Sequence, residues 1–106
     1  MEGDIIMALA FSLEPSMCHE GKYYIVFDCD KCNKVKIGVK GGSYAVFASR
    51  LFGLTYKDYL KMCRDIYGAE LFGRGTRYVI ALWNNREQGL KLVKELNKRL
   101  NYIVNK

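Results

Sequence analysis

Residues 78–104, YVIALWNNREQGLKLVKELNKRLNYIV, decide the fold because a strand pattern is followed directly by a helix pattern. Tyr78–Trp83 is aromatic or aliphatic throughout, which predicts a buried strand that we expect at the centre of a sheet. Asn84 or Asn85 can cap the helix that follows. The predicted inner face of this helix, set by three- and four-residue spacing, comprises Gly89, Leu92, Val93, Leu96, Leu100 and Ile103.

Two shorter helices are predicted upstream, within residues 43–68. Ser43 caps the first and Gly53 ends it. Thr55 and Asp58 form a capping-box pattern that begins the second, and Gly68 ends that one. The buried stripe predicted for the second helix consists of Tyr56, Tyr59, Leu60, Cys63, Ile66 and Tyr67.

The N-terminal half of the chain has strand patterns. Residues 8–14 predict a strand that Pro15 ends, and residues 16–21 a loop. Residues 22–28 and 34–40 predict a hairpin, with a core side formed by Tyr24 and Val26 facing Ile37 and Val35. A further short strand is predicted at residues 70–72.

These elements predict one α+β domain over residues 1–106. The order β-ββ-αα-ββ-α indicates a small antiparallel sheet with helices packed on one face. A chain of 106 residues can bury a single modest core without disulfides or metal.

Charge is distributed unevenly within the net +6. Residues 1–33 carry six acids against two lysines, a net of −4, whereas residues 34–106 carry fifteen Lys or Arg against five acids, a net of +10. An excess of this size favours anionic partners. No stretch approaches the ~20 apolar residues of a membrane span, and the run at residues 5–11 lacks the basic start of an export signal. We therefore expect a cytoplasmic protein that does not enter membranes.

The candidate nucleic-acid contacts are basic residues on the second helix, the turn before the last strand and the last helix. They are Lys57, Lys61, Arg64, Arg74, Arg77, Lys91, Lys94 and Lys98. The tight turn at residues 53–55 resembles that of a helix-turn-helix, but we favour a helical hairpin packed on the sheet, with a solvated basic face. The stretch Gly73–Arg77 could cradle a phosphate, although a plain hairpin turn is favoured there.

The side of the predicted hairpin opposite its core side suggests an interface. Its residues are Tyr23, Ile25, Phe27, Lys34 and Lys36. Aromatic rings beside lysines could stack nucleic-acid bases, but an apolar patch favours a protein partner or self-association into a homodimer.

The four cysteines and the single histidine are the candidate residues for metal binding or nucleophilic catalysis. Cys29 and Cys32 have the spacing of half a zinc knuckle, yet no second pair completes a tetrahedral site, so we predict no metal and no cofactor. Cys63 is expected to be a buried small hydrophobe. Cys18 and His19 are adjacent, which turns their side chains apart, and the acids are scattered, so we predict no enzyme.

Two functional hypotheses follow. The first is a non-enzymatic protein that contacts DNA or RNA mainly through phosphates, alone or within a nucleic-acid-containing protein complex. The second is an accessory protein of a phage or mobile element that inhibits a host complex, such as an anti-CRISPR-like inhibitor, through the apolar side of the hairpin.

Overall fold

Three strands and three helices make up the described part of the chain. The computed structural model describes residues 10–17, 19–27, 44–70 and 78–104. In chain order the elements are β1 (Phe11–Pro15), β2 (Tyr23–Phe27), α1 (Tyr44–Leu51), α2 (Tyr56–Asp65), β3 (Tyr78–Trp83) and α3 (Arg86–Val104). The predicted α+β class with an antiparallel sheet is confirmed. The predicted strand at residues 34–40, and residues 71–72 of the short one, lie outside the described residues.

The sheet has the order β1-β2-β3, with both pairs antiparallel. Among the described strands β2 is therefore the middle one, and β3, expected at the centre of the sheet, lies at one side of these three. Both strands are continuous apolar runs, so composition alone does not distinguish the middle strand from its neighbour. Pro15 is the last residue of β1 and lies opposite Tyr23. An edge strand tolerates this proline because its outward side needs no N–H donor.

The core side of β2 is the reverse of the predicted one. Ile25 and Phe27, expected to face outward, are 0% and 3% exposed, whereas Tyr24 and Val26 are only partly buried. The ring of Phe27 lies 4.8 Å from that of Phe11 on β1 and 5.1 Å from that of Phe47 on α1, measured between centroids. Every residue of β2 is apolar or aromatic, so alternation could not indicate which set faces the core.

The glycine after α1 and the threonine cap of α2 lie where the sequence predicts. Ser43, the predicted cap of α1, is outside the described residues, and α2 ends at Asp65, three residues before Gly68. α1 is followed by Gly53 at φ 67°, with the Gly53 amide donating to Arg50 O and the Leu54 amide to Ser49 O, both at 3.0 Å. This is a Schellman ending, in which glycine takes the left-handed position. At the start of α2 the Thr55 hydroxyl accepts from the Asp58 amide at 3.1 Å. The turn at residues 52–55 therefore joins α1 directly to α2.

The third helix packs along the sheet. Asn85 accepts from the Glu87 amide at 2.8 Å and so caps the helix. Of the predicted inner face, the five residues from Gly89 to Leu100 are buried as expected, and the side chain of Ile103 lies outside the description. Two polar residues, Asn97 and Asn101, are buried on the same helix and were not predicted. α1 and α3 contribute to the same core as the inner face of the sheet, while α2 packs on α1.

Candidate nucleic-acid interface

A basic stripe runs along the outer side of α2. Lys57, Lys61 and Arg64 are exposed, and their spacing of four and then three residues places them on one helix face. The opposite side of α2 holds Tyr59 and Cys63, both 0% exposed, which fixes how the helix is rotated. Burial of the inner side thus determines that the three cations point to solvent.

A second stripe of the same kind runs along α3. Lys91, Lys94 and Lys98 are exposed and follow a spacing of three and then four residues. The opposite side of the helix contains Leu92, Leu96 and Leu100, each 0% exposed. Together the two basic stripes, one on each helix, present six cationic side chains.

Five of these six cations have no carboxylate partner within residues 10–17, 19–27, 44–70 and 78–104. Of the six, only Arg64 makes an ion pair within these residues, from its Nε to Asp65 Oδ1 at 3.1 Å. Both of these side chains are largely exposed. Exposed pairs of this kind are worth about 0–1 kcal/mol, so Arg64 can exchange its partner at little cost. The charge of both stripes is therefore available to an external anion.

The segments before and after α2 contact α3 at two separate places. Near the start of α2, the Arg99 guanidinium lies 4.2 Å from the centre of the Phe52 ring and donates to Leu51 O at 3.3 Å. Past its end, Gly68 lies against the Gln88 side chain, because a Cβ there would come within 2.5 Å of Gln88 Oε1. These contacts link the segments that flank α2 to α3, whereas the helix itself packs on α1.

Electrostatic effects between the two helices agree with this placement. Burial, and next to it the Glu95 carboxylate on α3, raise the pKa of the Tyr67 phenol at the end of α2. Glu95 in turn binds Arg99 Nε at 2.8 Å. The α3 carboxylate that acts on Tyr67 is thus itself paired with an arginine.

An open surface depression of about 640 Å³ lies along the basic stripe of α2. Among the described residues its lining is formed by Tyr56, Lys57, Asp58, Leu60, Lys61 and Arg64. Tyr56 and Leu60 were assigned to the buried stripe of the helix, and they do pack against the core while part of each side chain stays exposed. Their place next to Lys57 and Lys61 in the sequence is the signal that could have indicated a mixed aromatic and cationic surface.

The buried side of α2 carries no reactive group at neutral pH. Burial raises the pKa of the Cys63 thiol from 9.0 to about 12, so it stays protonated and serves as a small hydrophobe, as predicted. Burial, with Cys63 as a secondary cause, raises the pKa of Tyr59 well above its usual value. Within the described ranges no group of three or more metal-ligating side chains occurs.

The structure separates the predicted site residues into three sets. The basic residues of α2 and α3 are exposed as expected, whereas Ile25 and Phe27 belong to the core and cannot form the predicted interface. Tyr23 is partly buried on the same strand. The predicted residues that lie outside the described ones are Cys29, Cys32, Lys34, Lys36, Arg74 and Arg77.

In the part of the chain that the structure describes, no helix combines the length and apolar character that crossing a membrane requires. No protein-family model, curated protein or solved structure gives a significant match to the chain. The geometry of the site is therefore the guide to function.

Proposed function

We propose that the protein binds nucleic acid without catalysis, mainly through contacts between phosphates and the two basic stripes of α2 and α3. The observation that carries the proposal is the presence of two exposed three-cation stripes, one on α2 and one on α3, with five lysines that have no carboxylate partner among the described residues. A phosphate backbone is a linear array of negative charge, and it releases counterions when lysine or arginine neutralises it.

The length of the stripes supports this partner over a small anion. Lys57 to Arg64 and Lys91 to Lys98 each span seven residues, roughly 10 Å at the helical rise. Successive phosphates of a strand are separated by several ångströms, so each stripe can contact more than one of them. A single phosphate or carboxylate would leave most of these cations unused.

The test is a salt titration of binding. Fluorescence anisotropy with a labelled single-stranded oligonucleotide, and with the same sequence as a duplex, should give affinities that fall linearly with the logarithm of salt concentration. Six phosphate contacts predict roughly a thousandfold loss between about 50 and about 200 mM salt. The triple variant Lys91→Ala, Lys94→Ala, Lys98→Ala should reduce the salt slope by about 1 for each phosphate that is no longer neutralised.

The matched control is Arg50→Ala, which removes an exposed cation at the end of α1, outside both stripes. This variant should keep the wild-type salt slope. The proposal is wrong if the wild-type protein binds neither oligonucleotide at low salt, or if the control changes the slope as much as the removal of a stripe lysine.

Inhibition of a host protein complex stays a prediction, and the described residues offer no apolar surface that would support it. The apolar surface assigned to it depended on Ile25 and Phe27, which pack in the core. Large apolar side chains that are well exposed among the described residues are Met17, Ile66 and Tyr102, and they lie on different elements. Scattered apolar residues of this kind are ordinary on protein surfaces and indicate no interface.

A further inference from the structure

The depression along α2 differs from a plain basic helix face. Besides its three cations it is lined by Tyr56 and Leu60, which are partly buried and pack against the core. The depression, of about 640 Å³, is open to solvent, so a group bound there would keep one side in water. The surface therefore offers a place for a flat apolar group beside anion-binding side chains.

The phosphates and bases of a nucleic acid differ in how accessible they are. A duplex exposes its phosphates but keeps the faces of its bases stacked inside, where a tyrosine ring cannot reach them. A single strand exposes both, and binding sites for single strands combine a cationic groove with aromatic side chains on which bases stack. The α2 depression contains both of these components within two helical turns.

Resting on the proposed function, we infer that the α2 depression binds an unpaired nucleotide of single-stranded DNA or RNA. The base lies against Tyr56 and Leu60, and the flanking phosphates contact Lys57, Lys61 and Arg64. Three cations face one carboxylate, that of Asp58, so the lining keeps an excess of positive charge that suits a phosphate. The stripe on α3 supplies further phosphate contacts that do not depend on base pairing.

The test compares a single strand with its duplex in wild type and in two variants at one salt concentration. Wild type should bind the single strand more tightly than the duplex. Tyr56→Ala should lower single-strand affinity by about tenfold or more, as loss of a stacked base does, and leave duplex affinity unchanged. Tyr56→Phe keeps the ring and should keep the affinity. DNA and RNA strands of one sequence show whether the 2′-hydroxyl matters.

Ile66→Ala is the matched control, because Ile66 is an exposed apolar residue at the end of α2 that does not line the depression. A single strand with 2-aminopurine provides a second measurement on the wild-type protein, so the test does not depend on the folding of Tyr56→Ala. Its fluorescence should fall on binding as the base stacks on the ring.

The outcomes separate this inference from the proposed function. If the wild-type protein binds neither the single strand nor the duplex, both the proposed function and this inference are wrong. Equal affinity for the two probes, or 2-aminopurine fluorescence that stays unchanged or rises on binding, overturns the unpaired nucleotide and leaves phosphate binding in place. An equal loss of affinity for both probes in Tyr56→Ala, or a loss in Ile66→Ala as large as in Tyr56→Ala, also overturns it.

Discussion

The hydroxyl of Tyr59 is fully buried between α2 and the core. It interacts with the Cys63 thiol, a weak partner, and makes no closer hydrogen bond among the described residues. A buried hydroxyl without a good partner costs about 1–3 kcal/mol, because it loses its hydrogen bonds to water and gains none of equal strength inside the protein. The ring itself packs well, with its centroid 6.0 Å from that of Phe52. Tyr59 therefore contributes mainly through its ring, and its hydroxyl gains little from the weak Cys63 thiol.

Tyr59→Phe should change the free energy of unfolding by less than about 1 kcal/mol, since it removes a buried hydroxyl that has a weak thiol as its partner. Urea unfolding followed by circular dichroism measures the change. Tyr59→Ala is the contrasting variant and should lose about 3–5 kcal/mol by opening a cavity. A loss above about 1 kcal/mol in Tyr59→Phe would show that the hydroxyl is hydrogen-bonded more strongly than a thiol partner allows.

Individual residues of α2 show what helical spacing predicts and what it misses. Tyr59 and Cys63 are buried as the spacing predicts, but Ile66, assigned to the same stripe, is 71% exposed. Ile66 is the C-cap of the helix, so it lies where the regular winding ends and the periodic rule no longer applies. Spacing also cannot tell that Tyr56 is only partly buried, because that depends on neighbours distant in the sequence.

At the scale of elements, the side chain of Asn97 on α3 makes to β1 the two backbone hydrogen bonds that a neighbouring strand would make. Asn97 Oδ1 accepts from the Phe11 amide at 3.0 Å, and Asn97 Nδ2 donates to Phe11 O at 2.9 Å. One amide side chain thus satisfies both backbone groups of a residue that is 2% exposed. Buried backbone groups need such partners, so Asn97 fixes the position of β1 against the helix.

Asn97→Leu should lower the free energy of unfolding by several kcal/mol, since two buried backbone groups each lose a partner at about 1–3 kcal/mol. Lys94→Leu, on the exposed side of the same helix, is the matched control and should change stability little. Urea unfolding provides the comparison. If Asn97→Leu is as stable as its control, apolar burial compensates fully and the amide bonds do not hold β1 in place.

The elements differ in how far local sequence determines them. The end of α1 and the start of α2 could be predicted because glycine at a positive φ and a threonine cap act within a few residues. The orientation of β2 could not, because its two sides are equally apolar and only the pairing of Phe27 with Phe11 selects one. The burial of Asn97 escaped prediction because its partner lies 86 residues away in the chain.

At the scale of the whole molecule, the six cations of the two basic stripes lie on helix faces that contribute little to the core. The candidate site was predictable in its cations, since Lys57, Lys61 and the lysines of α3 fall opposite buried stripes that spacing identifies. The depression with Tyr56 was not predictable, because its shape depends on how α2 is placed on α1.

A stripe that serves binding should be dispensable for folding. Lys91, Lys94 and Lys98 lie three to four residues apart, so their like charges repel, and no ion pair within the described residues offsets this. Alanine has the highest helix propensity, so replacing all three should leave the melting temperature of the free protein unchanged or raise it. The same triple variant is expected to bind nucleic acid weakly.

Calorimetry of the free protein in low and in high salt measures this directly. Wild type should gain stability as salt screens the repulsion between the lysines, and the triple variant should gain less. Salt would then stabilise the free protein and weaken its complex with nucleic acid, and both effects would come from the same lysines. A melting temperature lowered by several degrees in the triple variant would instead mean that these lysines hold the fold together, and their exposure would no longer argue for a partner.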